Sequence, residues 1–322
     1  MPLKKKIDVF EKQLFPIEEI MPSKGKILNI DNPGIYYQHR NGVLYWGDCV
    51  EYMRTLNDES VDMIFADPPY NIGKDKWDSW KSMNDYILWS EQWIKEAARI
   101  LKKNGTMYIC GFSEIIALIQ TPAMKYFHSC KWTIWYYRNK ANLSNDWGRS
   151  HEAVLCFRKS KDFKFNVDHV RIPYNSHTTK YPERGQGETS QYGGGKREKD
   201  SWSPNPLGAK PRDVIDMPTT CNGMSEKTPH KTQKPEELVR KYILASSNEG
   251  DIVLDPFCGS GTTPVCCEQL NRKWLSCDLE REYLGWAIDR ISGVTNHNID
   301  FWIAEDKSKL NRREGIRNNK EL

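Results

Sequence analysis

Two acidic turns, each directly after a short apolar run, constrain this chain more than any other feature. The first is Asp67–Tyr70 (Asp-Pro-Pro-Tyr), which follows Met63–Ala66, and the second is Asp255–Thr263, which follows Ile252–Leu254. A buried strand that ends in a rigid turn is typical of the carboxyl edge of a parallel α/β sheet, where ligands bind. The sequence therefore predicts two ligand-binding turns at one edge of a sheet.

Strands alternate with helices in both halves of the chain. The first half predicts strands at 43–46, 61–66 and 106–110, with a helix over 84–103 whose Trp89, Trp93, Ala97 and Leu101 recur every four residues. The second half predicts a helix after Pro235, strands at 252–254 and 273–277, and helices from the glycine loop to Leu270 and over 280–291. Segments 131–137 and 153–158 predict an antiparallel pair at the sheet edge. This rhythm indicates an α/β fold, a doubly wound and mainly parallel Rossmann-like sheet with antiparallel edge strands.

Five regions follow from the changes in composition. They are an N-terminal arm (1–30), a half that carries the first turn (31–159), a loop-rich insertion (160–227), a half that carries the glycine loop (228–304) and a charged, frayed C-terminal tail (305–322). The insertion lacks the strand–helix rhythm, and a structureless stretch of that length is either functional or a mobile surface loop.

Composition limits the class of protein less sharply. The formal net charge of +4 is too small to indicate nucleic-acid binding by itself. No apolar run has the length of a membrane span, and the first residues lack the apolar core of a signal peptide. The nine cysteines form no Cys-x-x-Cys pair, which predicts reduced, mostly buried thiols in a cytoplasmic protein and no metal site.

The first turn suits a flat base that bears an amino group. Chemistry at such an amine requires acceptors that hold its N–H groups, because its lone pair is delocalised into the ring. The Asp67 carboxylate and the Pro68 carbonyl are suitable acceptors, since Pro68 and Pro69 stiffen the turn, and Tyr70 offers a ring on which a base can stack.

The second turn is distinct from a dinucleotide-binding loop. Gly259 and Gly261 are followed by Pro264, so the third glycine of Gly-x-Gly-x-x-Gly is missing. An acid leads the loop instead, in Asp255-Pro256-Phe257. Asp278, about 20 residues on, suits ribose hydroxyls but fits a nicotinamide cofactor equally well.

Together these motifs resemble the amino-methyltransferases that act on DNA bases, and their order, Asp-Pro-Pro-Tyr before the glycine loop, resembles the β class. A third string, His230-Lys-Thr-Gln-Lys-Pro235, resembles the family segment that contacts the methionine carboxylate. Arg149–Glu152 resembles an edge-strand segment of the family, with His151 and Glu152 structural or near the target base instead of a proton relay. The resemblance covers roughly 40–160 and 205–295.

The resemblance implies a DNA methyltransferase that uses S-adenosylmethionine and flips its target base out of the duplex. The implied catalytic residues are Asp67, Pro68, Pro69 and Tyr70. The implied cofactor-binding residues are Asp48, Asp67, Thr232, Gln233, Lys234, Asp255, Phe257, Gly259, Gly261, Thr262, Asp278 and Leu279. Asp48 equally suits a helix cap. The implied partners are double-stranded DNA, a second copy of the chain and a restriction endonuclease that acts on the same site.

The insertion is rich in basic, amide and aromatic residues, which suit contact with DNA. Lys196 and Arg197, beside Gly193–Gly195, are the predicted phosphate contacts. The alternative is a mobile surface insertion.

Asp67 favours adenine N6 as the target, because family members that methylate cytosine N4 more often carry serine there. Methylation of cytosine N4 stays the alternative within the class. A catalytically silent nucleic-acid-binding homologue and a nicotinamide-dependent oxidoreductase are the alternatives from other classes. The intact first turn disfavours the silent homologue, and Pro264 disfavours the oxidoreductase.

Overall fold

A computed structural model of the chain describes residues 25–139, 145–185, 201–294 and 299–318. The strands are β1 Lys26–Ile27, β2 Gly34–His39, β3 Gly42–Trp46, β4 Val61–Ala66, β5 Leu101–Gly111, β6 Ser129–Tyr136, β7 His151–Arg158, β8 Arg184–Gly185, β9 Ser201–Trp202, β10 Val214–Asp216, β11 Ile252–Asp255 and β12 Lys273–Asp278. The helices are α1 Cys49–Thr55, α2 Met83–Ile100, α3 Ser113–Ala123, α4 Ser176–Lys180, α5 Glu236–Ser246, α6 Thr262–Gln269, α7 Arg281–Ser292 and α8 Ile299–Asn318, with 3₁₀ turns at Lys76–Asp78 and Val167–Val170.

Ten of these strands form one mixed sheet in the order β1-β2-β3-β12-β11-β4-β5-β7-β6-β10. β3, β12, β11, β4 and β5 are parallel neighbours, and β2 and β7 run antiparallel to the strands beside them. The chain builds outward from β4 through β5 and later returns to place β11 and β12 on the other side of β4. The strand order therefore reverses between β4 and β11, which is where open α/β sheets bind ligands.

Alternating side chains of the central strands face two helical layers. Ile64 and Ala66 of β4 join the core that includes Trp93 of α2. Phe65, between them, points to the other face and packs on Tyr242 of α5, with ring centroids 5.9 Å apart. Burial on both faces explains why Met63–Ala66 of β4 is an unbroken apolar run, as parallel strands generally are. The predicted fold class is confirmed.

The end of one helix and the place of one strand pair in the sheet differ from the predictions. Helix α2 ends at Ile100, before the predicted end at residue 103, because Leu101 adopts an extended backbone and pairs with Val61 of β4. Leu101 is buried in either arrangement, so periodicity could not separate them. The antiparallel pair β6–β7 is not at the sheet edge, because Val214–Asp216 pairs in parallel with β6 beyond it.

The described residues divide into two compact units. The larger lies within Met1–Asn166 and Asp213–Asn298, and the smaller within Val167–Arg212 and Ile299–Leu322. The expectation of a frayed tail from residue 305 is wrong as far as residue 318, because helix α8 spans this stretch. Within the smaller unit the Lys307 ammonium donates to the Leu207 carbonyl at 3.2 Å.

The predicted arm (1–30) lies mostly outside the described residues, which begin at residue 25. Its described end contributes β1, which pairs antiparallel with β2. Among the described helices, none combines the length and apolar character that a membrane crossing requires.

Candidate active site

The carboxyl ends of β4 and β11 bring the two predicted turns together. The strands are parallel neighbours, with Val253 beside Met63 and Leu254 beside Ile64. The Asp67–Tyr70 turn follows β4, and the glycine loop follows β11. Residues of both turns line the same pocket at the point where the strand order reverses.

Most of the residues predicted from the sequence line this pocket. They are Asp48, Asp67, Pro68, Pro69, Tyr70, Thr232, Gln233, Lys234, Asp255, Phe257, Gly259, Thr262, Asp278 and Leu279. Gly261 is not among the lining residues, and it forms the N-cap of α6 behind them. Lys196 and Arg197 lie outside the described residues.

The Asp67 carboxylate lies between a phenol and a buried ammonium. Tyr70 Oη is 2.7 Å from Asp67 Oδ1 and 2.9 Å from Glu152 Oε2. Lys234 Nζ is 2.7 Å from Asp67 Oδ2 and 3.3 Å from Glu152 Oε2. Burial and the two neighbouring carboxylates raise the pKa of Tyr70 well above its ordinary value. The phenol therefore stays protonated and acts as a donor to the carboxylates.

The Lys234 side chain points to the first turn from the segment that precedes α5. Burial disfavours its charged form, but the carboxylates of Asp67 and Glu152 outweigh burial and raise the pKa of Lys234 above its ordinary value. The ammonium is therefore charged and held by two acids. Its contact with a cofactor stays a prediction.

Buried polar groups fix the backbone of the first turn and of the loop after it. The fully buried Tyr86 donates its hydroxyl to the Pro69 carbonyl at 2.8 Å. The Asp78 carboxylate, 1% exposed, accepts the N–H groups of Asn71 at 2.6 Å and Lys74 at 3.0 Å. The turn is thus preorganised by its own prolines and by groups up to 17 residues away.

Asp255 organises the glycine loop from its first position. Its carboxylate accepts the Phe257 N–H at 3.0 Å and the Thr263 hydroxyl at 2.5 Å. Burial raises the pKa of Asp255 to about 7, against the lowering effect of these two hydrogen bonds. The structure thus assigns the Asp255 carboxylate an observed role in closing the loop, and its predicted contact with the cofactor stays a prediction.

The two glycines of the loop are required by different constraints. Gly259 has a φ of +50° and its Cα faces the His230 ring, which lies 3.2 Å from where a Cβ would stand. Gly261 has a φ of +80°, and a Cβ there would lie 2.6 Å from the Ala287 methyl group. A side chain at Gly259 would reduce the pocket, whereas one at Gly261 would push α7 away from the loop.

Asp278 stands where a ribose acid is expected, at the end of β12. It accepts the Gly259 N–H at 2.7 Å and the Glu280 N–H at 3.0 Å. Burial raises the pKa of Asp278 to about 6. Each carboxylate oxygen has a second lone pair, so the group retains acceptor capacity toward the pocket.

Asp48 and Leu279 complete the rim around Asp278. The Asp48 carboxylate accepts the Val50 and Glu51 N–H groups, so it caps α1, as the sequence also allowed, and it lines the pocket as well. Leu279 is 57% exposed and lies beside Asp278.

One pocket wall is aromatic, and most of it was missed from the sequence. Phe257 packs edge-on against Trp93, with ring centroids 5.2 Å apart, and against Trp89 at 5.9 Å. The helical spacing that placed Trp89 and Trp93 on one face of α2 indicated burial, and it gave no indication that this face backs the glycine loop.

His230 is one of several further lining residues that the sequence did not assign to the cofactor. The side chain of His230 is 9% exposed, and its Nδ1 has no hydrogen-bond partner among the described residues. Burial lowers the pKa of His230 to about 4, so the ring is neutral at pH 7. Trp77, Trp80, Glu280 and Tyr283 are among the others. The conspicuous string 230–235 could have pointed to His230, but no local pattern marks Trp77 or Tyr283.

Comparisons with known proteins identify the family. A family model described as DNA methylase, for N6 and N4 methyltransferases, matches residues 61–289. The type II methyltransferase M.HpaI of Haemophilus parainfluenzae is 34% identical over 79% of this chain and 75% of its own length. The DNA adenine methyltransferase YhdJ of Escherichia coli (strain K12) is 33% identical over 83% of this chain and 87% of its own length.

Solved structures share the fold. The PvuII DNA methyltransferase, described as cytosine-N4-specific, superposes with a TM-score of 0.59 at 16% identity, over 84% of this chain and 92% of that one. A complex of M1.HpyAVI with S-adenosylmethionine superposes with a TM-score of 0.52 at 25% identity, over 77% and 98% of the two chains.

The family model spans both turns, the sheet between them and the segment before α5. The predicted enzyme class is confirmed and, because this family is dependent on S-adenosylmethionine, so is the predicted cofactor. The chain therefore belongs to the N6/N4 DNA methyltransferase family.

Proposed function

We propose that this protein transfers a methyl group from S-adenosylmethionine to the exocyclic N6 of adenine in double-stranded DNA. One observation carries the proposal: the Asp67–Tyr70 turn and the glycine loop line one pocket at the β4–β11 switch point. A base amine held by the first turn and a cofactor held by the second would therefore meet without rearrangement of the sheet.

The pocket suits a nucleoside cofactor. Gly259 leaves room for a group beside His230, whose neutral ring presents an unpartnered Nδ1 among the described residues. Asp278 would hold the ribose hydroxyls, Leu279 and Asp48 would contact the adenine moiety, and Thr232 and Gln233 would face the methionine part. When bound, S-adenosylmethionine supplies a methyl group already activated by its sulfonium charge.

The chain's own residues would position the target base and its amine. The Asp67 carboxylate and the Pro68 carbonyl would accept the two N–H groups of the target amine, which directs its nitrogen lone pair toward the methyl group. Tyr70 would stack on the flipped base and recover part of the cost of unstacking it. Trp89 and Phe257, which also line the pocket, would limit the access of water.

The choice of adenine over cytosine is supported by Asp67 and by YhdJ, a relative named as an adenine methyltransferase. PvuII is named as cytosine-N4-specific, but at 16% identity it informs the fold alone. Methylation of cytosine N4 therefore stays the second candidate.

The partners and the location of the protein are proposed from fewer observations. All nine cysteines are free and seven are buried, which supports a reducing compartment such as the cytoplasm. Relatives named type II methyltransferases support an accompanying restriction endonuclease that acts on the same site. A homodimer is proposed from the sequence alone.

Incubation of the purified protein with DNA and methyl-labelled S-adenosylmethionine tests the function. We expect label in DNA, and N6-methyladenine after hydrolysis to nucleosides. Label in N4-methylcytosine would favour the second candidate. Cofactor binding without transfer to any duplex would favour a silent homologue, and binding of a nicotinamide cofactor instead would overturn the proposal. Sequencing of DNA from expressing cells, with detection of modified bases, would give the target site.

A further inference from the structure

Four side chains from three distant segments close a network around Asp67. Asp67 and Tyr70 follow β4, Glu152 lies in β7, and Lys234 precedes α5. Lys234 Nζ and Tyr70 Oη each lie between the same two carboxylates, at 2.7–3.3 Å from their oxygens. We refer to Asp67 and Glu152 as the carboxylate pair.

The network contains more negative than positive charge. Two carboxylates, with side chains 18% and 14% exposed, share one ammonium whose side chain is 6% exposed. Like charges this close and this buried repel each other. The Lys234 ammonium, with the Tyr70 hydroxyl as an additional donor, therefore offsets this repulsion.

The backbone and the side chain of Lys234 contact different parts of the site. The backbone carbonyl of Lys234 accepts the Thr262 hydroxyl of the glycine-loop helix at 3.2 Å. Its side chain extends to the first turn, where Nζ also lies 5.3 Å from the centre of the Tyr70 ring. The backbone thus belongs to the cofactor half, and the charge belongs to the turn that would hold the base.

The orientation of the Asp67 carboxylate follows from this arrangement. Tyr70 is bonded to Oδ1 and Lys234 to Oδ2, so both oxygens are fixed. Each oxygen keeps a second lone pair for an incoming N–H group. An ionised acceptor holds that N–H through a charge-assisted hydrogen bond, which a protonated acid could not do at the oxygen that carries its proton.

We propose that Lys234 and Glu152 are positioning residues for methyl transfer. Lys234 pairs with Asp67 and fixes the orientation of its carboxylate, and Glu152 holds Lys234 and Tyr70 in place from β7. This inference is based on the proposed function, and it replaces the predicted contact of the Lys234 side chain with the cofactor by a role at the target amine.

Three variants test the charge relation: Lys234→Met, Glu152→Gln and the double variant. The readouts are the single-turnover rate of methyl transfer at saturating cofactor and DNA, and the dissociation constant of S-adenosylmethionine by calorimetry. We expect Lys234→Met to lower the rate roughly 10²-fold and to leave cofactor affinity within about threefold of wild type. Glu152→Gln alone should lower the rate less than about tenfold, because Lys234 still pairs with Asp67.

The double variant gives the decisive comparison. Removal of the second carboxylate relieves the repulsion that Lys234→Met creates, so the double variant should be about tenfold faster than Lys234→Met. Lys125→Met is the matched control, since this 61% exposed lysine also loses an ion pair, with Glu91, and should keep the wild-type rate. Rates are compared at a temperature at which circular dichroism shows each variant folded.

The possible outcomes distinguish a positioning role of Lys234 from a role as cofactor ligand and from a role in stability. Equal losses in rate and in cofactor affinity for Lys234→Met would make Lys234 a cofactor ligand and overturn the proposal. A double variant no faster than Lys234→Met would exclude the charge relation. If neither of these two variants folds, the network serves stability and the proposal fails. Absence of transfer by the wild-type protein would overturn the proposed function instead.

Discussion

The two acidic turns at the β4–β11 switch point are held in different ways. Asp255 takes both hydrogen-bond partners from its own loop, namely the Phe257 N–H and the Thr263 hydroxyl. Asp67 is paired with Lys234, which lies 167 residues away in the sequence. Burial raises the pKa of Asp255 to about 7, and its hydrogen bonds come from neutral groups, whereas Asp67 is paired directly with a charged lysine.

This difference shows that aspartate has a different use in each of the two turns. An acid held by local hydrogen bonds shapes a loop, and its charge is of secondary value, because burial already favours the neutral form. An acid held by a distant buried cation has its carboxylate oriented by that charge, which suits an acceptor for a reacting amine. Substitutions at the two turns should therefore show their effects in different assays.

The largest effect is expected at the first turn. Asp67→Ala should lower the rate of methyl transfer by roughly 10²-fold or more, because the variant cannot form a charged hydrogen bond in the transition state. Cofactor affinity should be largely retained. Single-turnover kinetics and calorimetry measure the two quantities, and near-normal turnover would remove Asp67 from catalysis.

At the end of β12 a smaller effect is expected, on cofactor affinity instead of on the rate of methyl transfer. Asp278→Ala should weaken binding of S-adenosylmethionine by about 1.5–3 kcal/mol, the usual contribution of a hydrogen bond to a charged group, or roughly 10- to 150-fold in Kd. Calorimetry on Asp67→Ala provides the matched comparison. Unchanged affinity in Asp278→Ala would place the ribose acid elsewhere.

The pH dependence of stability tests the glycine loop. Because the pKa of Asp255 is raised from 3.8 to about 7, its contribution to the free energy of unfolding is complete below pH 3.8 and is lost as the pH rises through about 7. Asp278, with a pKa raised to about 6, acts in the same direction. Asp255→Asn should therefore reduce the loss of stability between pH 4 and 7 by roughly 1–3 kcal/mol.

Urea unfolding at several pH values and constant ionic strength measures this change. Glu249→Gln is the control, because Glu249 is exposed and its substitution should leave the wild-type slope. An identical slope in wild type and Asp255→Asn would mean that Asp255 does not titrate in this range.

The smallest effect is expected outside both turns, in the insertion. Neutralising Lys196 and Arg197 should weaken DNA binding and reduce its salt slope by about one unit for each phosphate that the protein no longer neutralises. Cofactor affinity should be unchanged. A fluorescence-anisotropy titration over a range of salt concentrations measures the slope.

Deletion of 185–200 extends that test. If the insertion contacts DNA, the shortened protein should fold and bind cofactor but methylate its site inefficiently. Methylation of the same site at the wild-type rate would reduce the segment to a surface loop and leave recognition to other parts of the chain.

The parts of the fold that were predictable depend on local interactions. The runs 63–66 and 252–254 are apolar because both faces of these strands are covered, and the turns after them carry their own stiffening residues. The end of α2 was not predictable from periodicity, because Leu101 is buried equally well as the first residue of β5. The tail after residue 305 is polar, and yet it is helical as far as residue 318.

By itself, the sequence determined the parallel sheet, the two turns at its carboxyl edge and, through the motifs in those turns, the family. These features are encoded over a few consecutive residues, where strand propensity, proline and glycine act directly on the backbone. Only the tertiary structure decided that Lys234 and Glu152 surround Asp67, that α2 supplies an aromatic wall behind Phe257, and that His230 is buried and neutral. Charge state and burial depend on which distant segments the sheet brings together, and no local pattern of residues contains that information.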